Sequence, residues 1–445
     1  MKVFESIGLA VPQILLPAPQ VDLRRWAVIA CDQYTSDREY WQQLAQQVGE
    51  APSTLQLIFP EVYLEDADAA ERVAAIQQRM EAYLAEGLLQ PQAPGFVLVE
   101  RATPQVPVRH GLMVALDLEC YDYSTGSTSL IRATEGTIVE RLPPRIRVRR
   151  GAALELPHIM VLIDDPQRTV IEPLLRQKLP PLYDFELLGG AGHLRGYAVQ
   201  RPALLQQVAD ALAALADPQG FRQRYPDHPE VLLYAMGDGN HSFATAKAIW
   251  QEIRSQIDDP ALLARHPARY ALVELVNLHD AGLEFEAIHR VLFDVDCDAL
   301  CQQLQCYAAA QGMVCSLTPC ADLASARQLA AQPLSGCHQL VANLAGRLYL
   351  LRFEGVRRTL PLATLQDFLD DFLQQQPWVG IDYIHGEDSV SRLASRPKRA
   401  GFYLPAISKH ELFATIVRDG ALPRKTFSMG HADEKRFYLE ARALR

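Results

Sequence analysis

A chain of 445 residues exceeds the size at which one hydrophobic core usually stops growing, so two domains, or a core with a large appendage, are expected. With 49% hydrophobic and 22% charged residues, the composition excludes a disordered chain. A formal net charge of −10 excludes a general nucleic-acid binder, because binding along a phosphate backbone needs a basic face.

Residues 1–20 carry Pro12, Pro17 and Pro19, which predicts an extended lead-in. No apolar segment precedes a cleavage-type site there, and no later run approaches the roughly 18 residues of a membrane span, so a cytoplasmic protein without a membrane partner is expected. Trp26 to Ala30 reads as a short buried strand running into Cys31-Asp32-Gln33-Tyr34. Ser36 is placed to cap a helix over 37–48, with Glu39 completing a capping box. Helical spacing of apolar residues continues over 67–89 and is broken by Gly87. Strands follow over 95–101 and 109–117, and then a segment over 131–150.

Next come a strand from His158 closed by Asp164-Asp165-Pro166 and a helix over 203–216. A strand over 231–236 enters Gly237-Asp238-Gly239-Asn240-His241-Ser242, and a helix over 241–256 leaves it. Strands are also expected over 271–278, 338–344 and 347–353. A boundary near Phe293 divides a main α/β domain, 1–293, from a C-terminal subdomain, 294–445. Six of the eight cysteines, Cys297, Cys301, Cys306, Cys315, Cys320 and Cys337, fall in one stretch without a Cys-x-x-Cys pair. They read as free thiols packed like small apolar residues, not as a zinc or iron–sulfur site.

The strand, turn and helix around Gly237 carry the clearest chemistry. The first turn of a helix leaves N–H groups unpaired, and with the helix dipole they suit a phosphate. Gly237 and Gly239 allow close backbone approach, while Asp238 is suited to hold magnesium or take a proton. The plainer alternative makes Asn240 an N-cap and Asp238 an ordinary turn residue.

A second element joins Glu135 and Thr137 to Arg141, Arg145, Arg147, Arg149 and Arg150. A carboxylate beside a fan of guanidinium groups suits a base or metal ligand next to an anion clamp. If Ile146 and Val148 point inward along a strand, the arginines instead line its solvated face. A third set, His279, Asp280, Glu284, Glu286, His289 and Arg290, lacks the spacing of common zinc sites and reads as structural. Near the end, Pro423-Arg424-Lys425-Thr426-Phe427-Ser428 is either a phosphate grip or a solvated segment.

Taken in order, these blocks resemble the family called domain of unknown function 1015. Asp32 resembles the family's Pro-Tyr-Asp segment, and Glu135, Thr137 and Arg145 resemble its His-Glu-x-Thr and later Asp-Arg block. Asp238-Gly239-Asn240-His241-Ser242 is similar to its Asp-Gly-His-His-Arg signature, matching at Asp238, Gly239 and His241 and departing at Asn240 and Ser242. His289-Arg290 and Pro423 to Thr426 resemble two later blocks.

The resemblance implies an α/β fold of the α+β mixed-sheet kind, with a ParB/sulfiredoxin-like core and an additional C-terminal α/β subdomain. That fold includes nucleotide-dependent free-serine kinases. By this analogy Glu135, Asp238 and His241 are catalytic, with Asp238 also the magnesium ligand. Gly237, Gly239, Asn240, Ser242, Arg145 and Lys425 bind the nucleotide. The expected activity is ATP- or ADP-dependent phosphotransfer, with magnesium, to a small hydroxylated, amino-acid-like metabolite. A nucleotide-binding switch or adaptor without turnover is the alternative.

Overall fold

The computed structural model describes residues 1–124, 126–136, 142–226, 228, 230–430 and 434–445. The chain divides into two compact units, Met1–Glu284 with Met429–Arg445, and Phe285–Ser428. The expected boundary at Phe293 falls at the far end of Phe285–Phe293, a strand of the second unit. The last residues do not stay in the C-terminal subdomain but return to the first unit. No helix among the described residues is long and apolar enough to cross a membrane.

The first unit is built on a large mixed sheet. Its strands lie side by side in the order Pro181–Glu186, His193–Val199, Phe96–Ala102, Arg109–Asp117, Tyr270–Asn277, Met160–Ile163, Tyr234–Asp238, Ile131–Arg132 and Tyr121–Asp122. Met160–Ile163 runs parallel to Tyr270–Asn277 and antiparallel to Tyr234–Asp238, which in turn runs parallel to Ile131–Arg132. Central strands are buried on both faces and read as apolar runs, as Leu112 to Leu116 and Ala271 to Val273 do.

A second device closes this unit. Phe437–Tyr438 pairs with Val28–Ile29, and Arg442–Ala443 pairs with Leu154–Glu155. Buried charges fix the returning segment. Arg436 bonds Glu274, Glu440 and the Pro157 carbonyl, and Arg442 bonds Glu155 and the Pro267 carbonyl. Each guanidinium has several acceptors, which makes burial of the charge tolerable. Gly111 leaves the space in which Glu274 sits, since a Cβ there would overlap the Glu274 carboxyl group.

Two local expectations change. Asp37, not Ser36, caps the helix Arg38–Val48 and accepts from Tyr40 N at 2.9 Å, while Glu39 bonds Gln43 within the helix. The arginine segment is a helix, Leu142–Arg149, and not a strand. Pro143 and Pro144 fall in its first turn, where the missing N–H costs no helical bond.

In the second unit an antiparallel sheet runs Val314–Cys320, Arg347–Glu354, Cys337–Leu344, Arg399–Tyr403, Phe285–Phe293 and Gly380–His385. Helices Cys297–Ala310 and Pro361–Gln375 supply Leu300, Leu304, Leu365 and Phe368 to its core. All eight cysteines are free thiols. Burial pushes Cys297 up to about 11 and Cys315 up to about 12, so both are packing residues and poor nucleophiles at neutral pH.

Candidate functional site

The strand Tyr234–Asp238 ends at the turn singled out by sequence, and the helix Asn240–Arg254 begins directly after it. Gly239 is the N-cap, with φ 79° and ψ 27°, a left-handed conformation that costs glycine least. A Cβ there would also lie 3.1 Å from Ile159 Cα. Gly237 is a packing residue, because a Cβ would meet Met429 Cε at 2.9 Å and Leu162 Cγ at 3.0 Å. Asn240 is therefore the first helical residue and not the cap. Its Oδ1 is buried without a hydrogen-bond partner among the described residues, and no side chain caps the helix.

Asp238 turns back on this helix start. Its Oδ1 accepts from Gly239 N at 2.9 Å, and its Oδ2 lies 3.2 Å from Lys435 Nζ. Burial raises its carboxyl, but the Lys435 ammonium, the His158 ring and the Gly239 amide together outweigh that and hold it below the usual carboxylate range. The site thus keeps a charged carboxylate paired with a cation at a strand end.

His158, buried just before Met160–Ile163, sits at the centre of the remaining groups. Its Nε2 lies 3.0 Å from Ser242 Oγ and 3.6 Å from Asp32 Oδ2, and its Nδ1 lies 2.8 Å from the Tyr438 hydroxyl. Tyr438 also bonds the Cys31 main chain and sulfur. Glu61 N donates to the Cys31 carbonyl at 2.8 Å, and Arg145 Nε donates to Glu61 Oε1 at 2.8 Å. Burial lifts the Glu61 carboxyl above its ordinary range; Arg145 pulls it down and Asp32 pushes it up again.

Of the residues expected from sequence, Asp238, Gly239, Asn240, His241 and Ser242 share the strand end and the helix start. Glu135 comes to the same end of the sheet. Tyr234 is paired with Ile131 and Ala235 with Arg132 in parallel register, so Glu135 follows its strand as Asp238 follows its own. Thr134 Oγ1 donates to the Met236 carbonyl at 2.6 Å and ties the two strand ends together. His241 is half-buried in the helix's first turn, and its carbonyl accepts from Thr245 Oγ1.

Among the described residues the arginines of this segment are spent on separate carboxylates. Arg145 bonds Glu61, Arg149 bonds Glu155, Arg150 bonds Glu252, and Arg147 is exposed. A helix sends successive side chains around its axis, so these arginines meet carboxylates in different places. Thr137 and Arg141 lie outside the described residues.

Lys425 is an exposed residue of the second unit at φ 56°. The lysine facing Asp238 is Lys435, in the segment that returns to the first unit. Lys435, Tyr438, His158 and Glu61 were not singled out as site residues by sequence. Lys435 and Tyr438 stand close to a chain end, in a stretch without periodicity, and only the buried His158 within an apolar strand offered a signal.

The third sequence cluster is dispersed. His279 pairs with Asp164 and Asp280 with His110 in the first unit, while Glu286 lies near His385 in the second. His289 Nδ1 accepts from Leu404 N at 3.0 Å, and Arg290 is buried with bonds to Gln366, Ile288 and Arg424. Among the described residues no group of three or more His, Cys, Asp or Glu is placed to hold a metal ion.

Residues 13–372 match the family described as protein of unknown function, DUF1015. The chain belongs to this family. No curated protein matches it. Among solved structures, a free serine kinase in complex with AMP is similar at TM-score 0.40 and 10% identity, covering 74% of this chain and 90% of that one. SbnI with a C-terminal truncation, from Staphylococcus aureus, gives TM-score 0.35 and 9% identity, covering 72% and 82%. A conserved hypothetical protein from Pyrococcus furiosus gives TM-score 0.36 and 11% identity, covering 74% and 90%.

Proposed function

We propose that this protein is a nucleotide-dependent phosphotransferase acting on a small hydroxylated metabolite. The observation that carries the reading is Asp238. It is held charged above all by Lys435 beside an uncapped helix start whose turn is glycine in the left-handed region. Phosphoryl transfer needs positioning and charge neutralisation more than covalent work by the protein, and these groups supply both.

In this reading the amides that open the helix Asn240–Arg254 receive the phosphates. Lys435, now spent on Asp238, neutralises charge on the transferring group. Magnesium bound by proteins often uses one or two carboxylates and fills its shell with phosphate oxygens and water. Asp238, with Glu135 at the same strand end, fits that donor set. The ion would polarise the transferring phosphate, while the protein's own groups orient it and exclude water. The ParB/sulfiredoxin-like identity of the core belongs to the same proposal, as does the role of His241 at the phosphates.

Nucleotide binding and turnover are separate measurements. Calorimetric titration of ATP and ADP with magnesium is expected to show binding, and a metabolite mixture of hydroxylated amino acids is expected to accelerate ADP or AMP release. Binding without release in any such mixture would instead support the nucleotide-dependent switch. Absence of binding would remove both.

A further inference from the structure

The hydrogen bonds around His158 fix more than its position. The Cys31 main-chain N–H donates to the Tyr438 oxygen at 3.2 Å, and the Tyr438 hydroxyl donates to Cys31 Sγ at 3.1 Å. A phenol has one proton to give. With the phenol proton directed at Cys31 Sγ, the 2.8 Å contact between Tyr438 and His158 Nδ1 is donated by the ring, in the Nδ1–H tautomer that the proposal below requires. In the neutral imidazole this leaves Nε2 as a lone pair, and Nε2 is the atom 3.0 Å from Ser242 Oγ. A base, held by a third group and directed at a hydroxyl, is the arrangement that activates a serine.

Ser242 is suited to the nucleophile's part in two other respects. It is half-buried, not sealed in the core, and it lies in the first turn of the helix Asn240–Arg254, where a phosphate ester on its oxygen would meet the helix dipole. Asp32 Oδ2 lies 3.6 Å from the same Nε2. It is placed to stabilise the imidazolium that forms when the serine proton is taken. Cys31 does not compete as a nucleophile, because burial, then Asp32 and Glu61, keep its thiol protonated.

We propose that Ser242 is a nucleophile activated by His158, and that it carries a phosphoryl group covalently between a nucleoside triphosphate and the acceptor. This rests on the phosphotransferase reading above and divides its reaction in two. Ser242 Oγ attacks the terminal phosphorus. The bond from that phosphorus to the bridging oxygen breaks, its electron pair leaves with the nucleoside diphosphate, and the serine proton passes to His158 Nε2. In the second half the acceptor hydroxyl attacks the phosphoserine phosphorus and the Oγ–P bond breaks. His158 then returns its proton to Oγ, and the acceptor's proton is released to solvent. Tyr438 is a positioning residue that selects the ring tautomer.

The full chain is incubated with magnesium and ATP labelled on its γ-phosphate, without acceptor, and the label is mapped by peptide mass spectrometry. The expected result is an acid-stable phosphoryl group on Ser242, absent in Ser242→Ala. In His158→Gln labelling is slowed on the order of 100-fold, the usual contribution of a positioned base. The ring nitrogen shifts of His158 are expected to report the Nδ1–H form in the wild type and to change in Tyr438→Phe.

Turnover of ATP with an acceptor at the wild-type rate in Ser242→Ala would show direct transfer, overturning the covalent step and leaving the phosphotransferase intact. Failure of the wild type to bind nucleotide would instead overturn the phosphotransferase reading and this proposal with it. Labelling of Ser242 that His158→Gln leaves unchanged, or an Nε2–H ring in the wild type, would overturn activation by His158.

Discussion

At Asp238 burial and charge oppose one another, and charge wins, chiefly through Lys435 with the Gly239 amide beside it. The sign of its linkage follows. A carboxyl depressed in the folded state adds stability that is fully present above its unfolded value, near 4, and is lost as pH falls through the folded value. Lys435→Met is therefore expected to lower stability by about 1 kcal/mol at neutral pH, the range of a partly exposed ion pair, and to remove part of the acid dependence. Denaturant midpoints measured across the acid range would show it, and parallel acid limbs in variant and wild type would refute it. Asp238→Asn keeps the shape and can still accept from Gly239 N. Phosphotransfer is expected to disappear while the melting temperature and nucleotide affinity change little, and unchanged turnover would take Asp238 out of the chemistry.

His289 gives a second titration in the other unit. Burial, then Arg327 and Arg290, push its ring down from 6.5 to about 4, and its Nδ1 is occupied in accepting from Leu404 N. A ring depressed in the folded state contributes stability that is present above about 6.5 and lost as pH falls toward about 4, roughly 3 kcal/mol in all. His289→Gln is expected to flatten the stability profile of the chain in that window. A profile of unchanged steepness would contradict the buried neutral ring.

Among the elements, the strand, turn and helix at 234–254 form the working end of the sheet, and sequence made most of it legible. The apolar run ending in Gly237-Asp238-Gly239 carries its own punctuation, and the helix start lies within a residue of where the pattern puts it. The alternative that makes Asn240 the cap gives way to Gly239, whose positive φ leaves no trace in composition beyond glycine itself. The helix Leu142–Arg149 was ambiguous for another reason. Alternating arginines suit a strand face and a helix surface alike, and only its partners Glu61, Glu155 and Glu252 settle how they are spent. Gly239→Ala tests the element, since it strains a left-handed residue and crowds Ile159. A loss of about 1–3 kcal/mol is expected, with weaker anion binding at the helix start in sulfate titrations. A neutral substitution would show that the turn relaxes freely.

On the scale of the whole molecule, the site depends on a segment far away in sequence. Lys435 and Tyr438 reach it because Phe437–Tyr438 pairs with Val28–Ile29 and Arg436 and Arg442 bury their charges against Glu274 and Glu155. No local pattern announces such a return, which is why sequence assigned these residues to a C-terminal subdomain and chose Lys425 over Lys435. A chain ending at Gly430 would leave Glu274 and Glu155 without their arginines, and an uncompensated buried charge typically costs about 3–5 kcal/mol. Its first unit is expected to lose its cooperative melting transition, and a preserved transition would show the segment to be an accessory.

The central claim is that phosphates belong at the start of the helix Asn240–Arg254, with Asp238 and Lys435 beside them. A crystal structure with ADP and magnesium tests it most directly. The β-phosphate is expected within hydrogen-bonding distance of the amides of Asn240 to Ser242, with Lys435 moved from Asp238 toward the phosphate. A nucleotide bound elsewhere, with the Asp238–Lys435 pair undisturbed and the helix start empty, would contradict it.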